Sequence, residues 1–122
     1  MAKIFETKVL EVGPEAQGMI DGADMMILFG EGAPQDLAEY CFTIDNKHLT
    51  GPIKVGGRLV VDGEDFPITS VGEVVEKNLV NLGHITIAFD GDREGSLPGT
   101  LHVLAPNKVQ LGSGSIIQLF SD

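Results

Sequence analysis

Three imidazoles, at His48, His84 and His102, are the groups in this chain best suited to nucleophilic or proton chemistry. A neutral imidazole offers a lone pair near neutral pH without help from a strong base. Two of the three lie in strand-like stretches, Gly83-His84-Ile85-Thr86-Ile87-Ala88-Phe89 and Gly99-Thr100-Leu101-His102-Val103-Leu104. Both stretches alternate, so Ile85, Ile87, Phe89, Leu101 and Val103 take a face that belongs in a core. His84, Thr86, Thr100 and His102 share the other face. An antiparallel hairpin around Asp90 to Pro98 would set His84 across from His102 and Thr86 across from Thr100. That grouping suits transient phosphoryl transfer, with His84 as acceptor and His102 as its partner. Such a step needs positioning and local donors, which Thr86, Thr100 and the backbone N–H groups near Gly83 and Gly99 could supply.

Other chemistries find less. His48 follows Asn46-Lys47 in a turn-like stretch, where a histidine is ordinarily solvated, and it stands as an outside candidate. A metal reading would take His84 and His102 with Asp90 or Asp92. The stretch Asp90-Gly91-Asp92-Arg93-Glu94-Gly95 superficially resembles a calcium loop, but Leu101 stands where the closing glutamate belongs. It is read as an acidic hairpin loop. No HExxH or paired-cysteine spacing occurs, so no metal is predicted. Gly30-Glu31-Gly32-Ala33 lacks the spacing of a dinucleotide loop, and no serine sits in a nucleophile elbow; no cofactor is predicted.

The elements that must carry these residues are short. Ile4 to Val12 alternates with β-branched residues and stops at Gly13-Pro14, which predicts a strand and a turn. Met25 to Phe29 is nearly all apolar and predicts a central strand buried on both faces. Pro34 and Gln35 to Tyr40 predict a short helix plugging one end. Tyr40 to Asp45 returns to strand, Asp65 to Val71 is a strand with an edge or bulge at Pro67, and Glu73 to Leu82 is a short helix or irregular crossover. A faint echo links Pro52-Ile53-Lys54-Val55-Gly56-Gly57-Arg58-Leu59 with Pro106-Asn107-Lys108-Val109 and Gly112 to Leu119, each a glycine-rich turn into a strand. Some eight short strands and sixteen glycines predict a mainly β fold, a small closed or nearly closed barrel, with a β-sandwich as the alternative.

Composition bounds the setting. A chain of 122 residues is read as one domain spanning 1–122, able to bury roughly two thirds of its unfolded surface. The single cysteine, Cys41, excludes an intrachain disulfide and fits a reducing compartment. The start, Met1-Ala2-Lys3-Ile4-Phe5-Glu6, lacks a signal-peptide run, and Met25 to Phe29 is too short to span a bilayer. A soluble cytoplasmic protein is predicted. A formal charge of −10 repels nucleic acids and anionic membranes and suits a basic protein partner.

Several separated segments carry a resemblance in the same order: Glu31-Gly32-Ala33-Pro34-Gln35-Asp36-Leu37-Ala38-Glu39-Tyr40-Cys41-Phe42, Pro67 to Gly72, Asn78 to Thr86 and Pro98 to Val103. By these the chain resembles, nearly end to end, the glucitol/sorbitol-specific IIA component of the phosphoenolpyruvate-dependent sugar phosphotransferase system. The resemblance implies a bacterial cytoplasmic phosphocarrier. It would accept a phosphoryl group on histidine from the histidine-containing phosphocarrier protein and pass it to the IIB component, with the membrane IIC partner coupling phosphorylation to hexitol uptake. The family's phosphoacceptor falls just after the Tyr40-Cys41-Phe42 match, where this chain reads Thr43-Ile44-Asp45-Asn46-Lys47. Either the acceptor here is elsewhere or that assignment does not extend across the family. The alternative class is a non-catalytic small β-barrel binding a ligand or a regulatory protein.

Overall fold

The computed structural model describes residues 2–94, 97–106 and 109–121. In chain order the elements are β1 (Lys3–Val12), α1 (Ala16–Ala23), β2 (Met25–Gly30), α2 (Gln35–Ala38), β3 (Phe42–Ile44) and β4 (Arg58–Val61). There follow β5 (Glu64–Val71), α3 (Val75–Leu82), β6 (Ile85–Ala88), β7 (Thr100–Val103) and β8 (Ile116–Phe120). The strands close a barrel in the order β1-β3-β2-β6-β7-β5-β4-β8, so the sandwich alternative is excluded. Alternate residues point inward, and Met26, Leu28, Phe42, Leu59, Phe66, Leu101 and Ile117 are fully buried there. Burying each such side chain contributes about 1.5–3 kcal/mol.

The barrel is a structural repeat with an offset of 59 residues. Val12 pairs with Phe42 and Glu11 with Thr43; the corresponding Val71 pairs with Leu101 and Ser70 with His102. Each ladder carries its register shift at the same place, between Val9 and Glu11 in one and Ile68 and Ser70 in the other. The parallel pair Leu28 and Phe42 matches Ile87 and Leu101. Helices α1 and α3 bury Ala16 and Ile20, and Val75 and Leu79, at that same offset. Both end in a left-handed residue, Asp24 or Gly83. The echo between the segments leading into β4 and β8 has a spacing of 54 from Pro52 to Pro106 and so does not follow this offset; its Asn107 and Lys108 lie outside the described residues.

Three expectations are corrected. Strand β2 is not buried on both faces: Met26, Leu28 and Gly30 point inward, whereas Met25, Ile27 and Phe29 stay half-exposed. Helix α2 plugs nothing, having no buried residue. The ends are closed instead by α1, which the sequence reading missed, and by α3. These lie at opposite ends, since each leads into one of the antiparallel neighbours β2 and β6. Eight-residue helices are marginal alone, so packing of their i and i+4 residues holds them.

The third correction bears on function. Strands β6 and β7 are parallel, with Thr86 opposite Thr100 and Ala88 opposite His102. A ring of strands closes only after an even number of direction reversals. The other seven neighbour contacts contain six reversals and one parallel pair, β2 with β3, so β6 and β7 must run the same way. The connection from β6 to β7 is therefore a crossover, not a hairpin loop; Gly95 and Ser96 of that expected loop lie outside the described residues.

Candidate functional site

His84 is the second residue after α3, behind Gly83. Gly83 caps the helix at φ +69°, and a Cβ on it would fall 2.7 Å from the Gly30 nitrogen. Only glycine permits so tight a turn from α3 into β6 against β2. The backbone N–H of His84 donates to the Asn78 carbonyl at 3.2 Å, and the pairing of β2 with β6 brings its ring beside Phe29. The two ring centroids are 4.9 Å apart at 37°. His84 Nδ1 lies 3.3 Å from the Leu28 carbonyl oxygen. A carbonyl can only accept, so in the neutral imidazole Nδ1 carries the proton and Nε2 the lone pair. The side chain is half-buried, and a nucleophile is oriented without being sealed.

His102 has a different environment. It is 5% exposed, its Nδ1 lies 2.8 Å from Asp90 Oδ1, and its Nε2 is buried with no hydrogen-bond partner among the described residues. With the proton on Nδ1 donated to Asp90, the buried Nε2 is a bare lone pair, the cheaper state to leave unpaired. Burial pushes the Asp90 carboxyl up, but the hydrogen bonds from His102 and the Asp92 backbone N–H prevail and hold it below its usual value. Asp92 in turn accepts the Glu94 N–H at 2.9 Å, and its carbonyl accepts the Thr69 hydroxyl at 2.7 Å. His102 thus pins the start of the crossover to the barrel.

The expected His84 and His102 pair is not formed. In the parallel register His102 lies opposite Ala88, four residues along β6 from His84, or roughly 13 Å of strand. Thr86 and Thr100 do sit side by side, since that pair is common to both registers. Thr86 is half-exposed on the His84 face, and Thr100 is buried. His48 lies in an exposed loop whose backbone N–H donates to Asn46 Oδ1 at 2.8 Å.

The segment after Phe42 is structural. Ile44 is core, Asp45 Oδ1 accepts the Thr7 hydroxyl and the Lys8 N–H, and Asn46 bonds the Glu6 carbonyl. For a metal, the structure gathers His102, Asp90 and Asp92, with ligand atoms within 4.8 Å, and leaves His84 out. Their chemistry fits poorly. Metal on Nδ1 would move the imidazole proton to Nε2, which has no hydrogen-bond partner among the described residues. Sequence reasoning missed Phe29 and the Leu28 carbonyl, because no local signal announces which strand will lie beside β6.

The barrel shares its fold with a phosphotransferase-system IIA component. The crystal structure of the PTS System IIA component from Enterococcus faecalis V583 aligns with a TM-score of 0.83 at 22% identity, over 96% of this chain and 100% of that one. Residues 4–118 match the family model of the PTS system glucitol/sorbitol-specific IIA component. The glucitol/sorbitol-specific EIIA components of Shigella flexneri and Escherichia coli K12 are each 38% identical over 121 residues, covering 99% of this chain and 98% of theirs. The chain belongs to the glucitol/sorbitol-specific IIA family of the phosphotransferase system. It is therefore a phosphotransferase component with a phosphocarrier role, working with other proteins of that system.

Proposed function

We propose that this chain, as one IIA domain over residues 1–122, carries a phosphoryl group on His84 Nε2. The group would come from the histidine-containing phosphocarrier protein and pass to the IIB component in the cytoplasm, with IIC taking up glucitol/sorbitol. The contact of His84 Nδ1 with the Leu28 carbonyl is the observation that carries this reading. It fixes the tautomer that makes Nε2 the nucleophile, and the Phe29 ring limits rotation. In the transfer, the Nε2 lone pair forms the new N–P bond while the donor's N–P bond breaks and its electron pair returns to the donor imidazole. Passage to IIB repeats the exchange, with the pair returning to Nε2. Thr86, one row along the same face, is the supporting hydroxyl, whereas His102 and Thr100 are too buried to meet a donor.

The test is incubation with phosphoenolpyruvate, enzyme I and the phosphocarrier, read by intact mass. Wild type gains one acid-labile phosphoryl group, folded His84→Ala gains none, and His102→Ala and His48→Ala keep it. A folded His84→Ala protein that still takes the label would overturn the assignment.

A further inference from the structure

We propose that the outer face of β2 around His84 is a docking surface for a partner protein with an apolar centre and a lysine or arginine at its edge. The inference rests on the reading of His84 as the acceptor. Met25, Ile27 and Phe29 alternate along the outside of β2 and remain half-exposed. A solvated barrel exterior ordinarily carries polar residues at such positions, so three in a row mark a contact face. An exposed leucine extends it beside the histidine. Leu82 is 49% exposed and two residues before His84, its carbonyl against Gly30.

On the other side the character changes. The row from His84 and Phe29 continues across the sheet to Thr43 and then Glu11. There a cavity of about 170 Å³ opens beside Thr43, Ala33 and Ala38, with Glu11 and Glu31 in its walls and no basic residue among the described lining residues. A neighbouring cavity of about 440 Å³ adds Asp36 and Glu39. A carboxylate-rimmed notch beside an apolar patch fits a guanidinium or ammonium group on a protein surface. It repels a free sugar phosphate or a nucleic acid. The same separation holds an incoming phosphoryl group over the apolar patch, away from the carboxylates, while the net charge of −10 speeds encounter with a basic partner.

Phosphoryl transfer from the phosphorylated histidine-containing carrier is measured against carrier concentration for wild type, Glu11→Lys/Glu31→Lys, Ile27→Asp and Glu64→Lys. Glu64 lies on β5 at its turn with β4, across the barrel. The double reversal raises the half-saturating carrier concentration by at least about fivefold at low salt, and the difference shrinks at high salt. Ile27→Asp raises it at all salt concentrations, and Glu64→Lys leaves it unchanged. Unchanged half-saturation in the double reversal, or an equal rise in Glu64→Lys, overturns the proposal; the double reversal decides should Ile27→Asp fail to fold. Phosphoramidate, which transfers its phosphoryl group to histidine and releases ammonia, needs no docking face. Its labelling persists in the docking variants and is lost in His84→Ala. Labelling that persists in His84→Ala refutes the acceptor reading, independently of the half-saturation result.

Discussion

The two halves of the barrel use one backbone plan to do different things. Position 43 in the first half corresponds to 102 in the second, and 31 to 90. In the second half these are His102 and Asp90, joined at 2.8 Å and holding the crossover down. In the first half they are Thr43 and Glu31, which line an open cavity. Likewise Met25 begins β2 where His84 stands just ahead of β6. The repeat supplies the frame and the tight turns; a few side chains decide what each half presents.

The glycine at the base of each crossover offers the severest test of the shared frame. A Cβ on Gly13 would lie 2.2 Å from the Ala38 oxygen, and one on Gly72 2.2 Å from the Pro98 oxygen. Gly13→Ala and Gly72→Ala should each destabilise by about 3 kcal/mol or more, since backbone must move. Urea denaturation measures both; a marked inequality would break the equivalence of the halves. A smaller effect separates the paired positions. Asp90→Ala strands a buried imidazole N–H and should cost about 1–2 kcal/mol, the low end because water can reach the site. Glu31→Ala, on the surface of the first half, should stay within about 0.5 kcal/mol by the same measurement.

The smallest effect is that of pH. The Asp90 carboxyl is held below its usual value of 3.8 in the folded protein. A depressed carboxyl stabilises fully above its unfolded pKa and loses that contribution as pH falls through the folded one. The half-exposed Asp90 side chain limits this contribution to under about 1 kcal/mol. The stability gap between wild type and Asp90→Ala should therefore hold from neutrality to about pH 5 and narrow below 3.8. A gap that stayed constant below that value would show that the fold does not hold the Asp90 carboxyl down.

Much of the barrel was legible because alternation is a local property. Ile85, Ile87, Phe89, Leu101 and Val103 are all buried as their spacing required. Helix α1 was missed because Ala16 and Ile20 are too few to mark a face, while Gly18 and Gly22 weaken the helical pattern. The short apolar β2 read as doubly buried because its outer residues are also apolar, for a reason that lies outside the chain if a partner covers them.

The sequence by itself determined which residues face the core, where the turns fall, and that His84 follows a glycine able to turn a helix into a strand. Only the tertiary structure decided strand direction. The Thr86 and Thr100 pair satisfies both a parallel and an antiparallel register, and ring closure, a property of all eight described strands, selects the parallel one. That choice separates His84 from His102, the pairing of β2 with β6 sets His84 against Phe29 and Leu28, and Asp90 just past the end of β6 takes His102. Alternation fixes the face of a residue; it cannot fix the neighbour that a distant strand will bring.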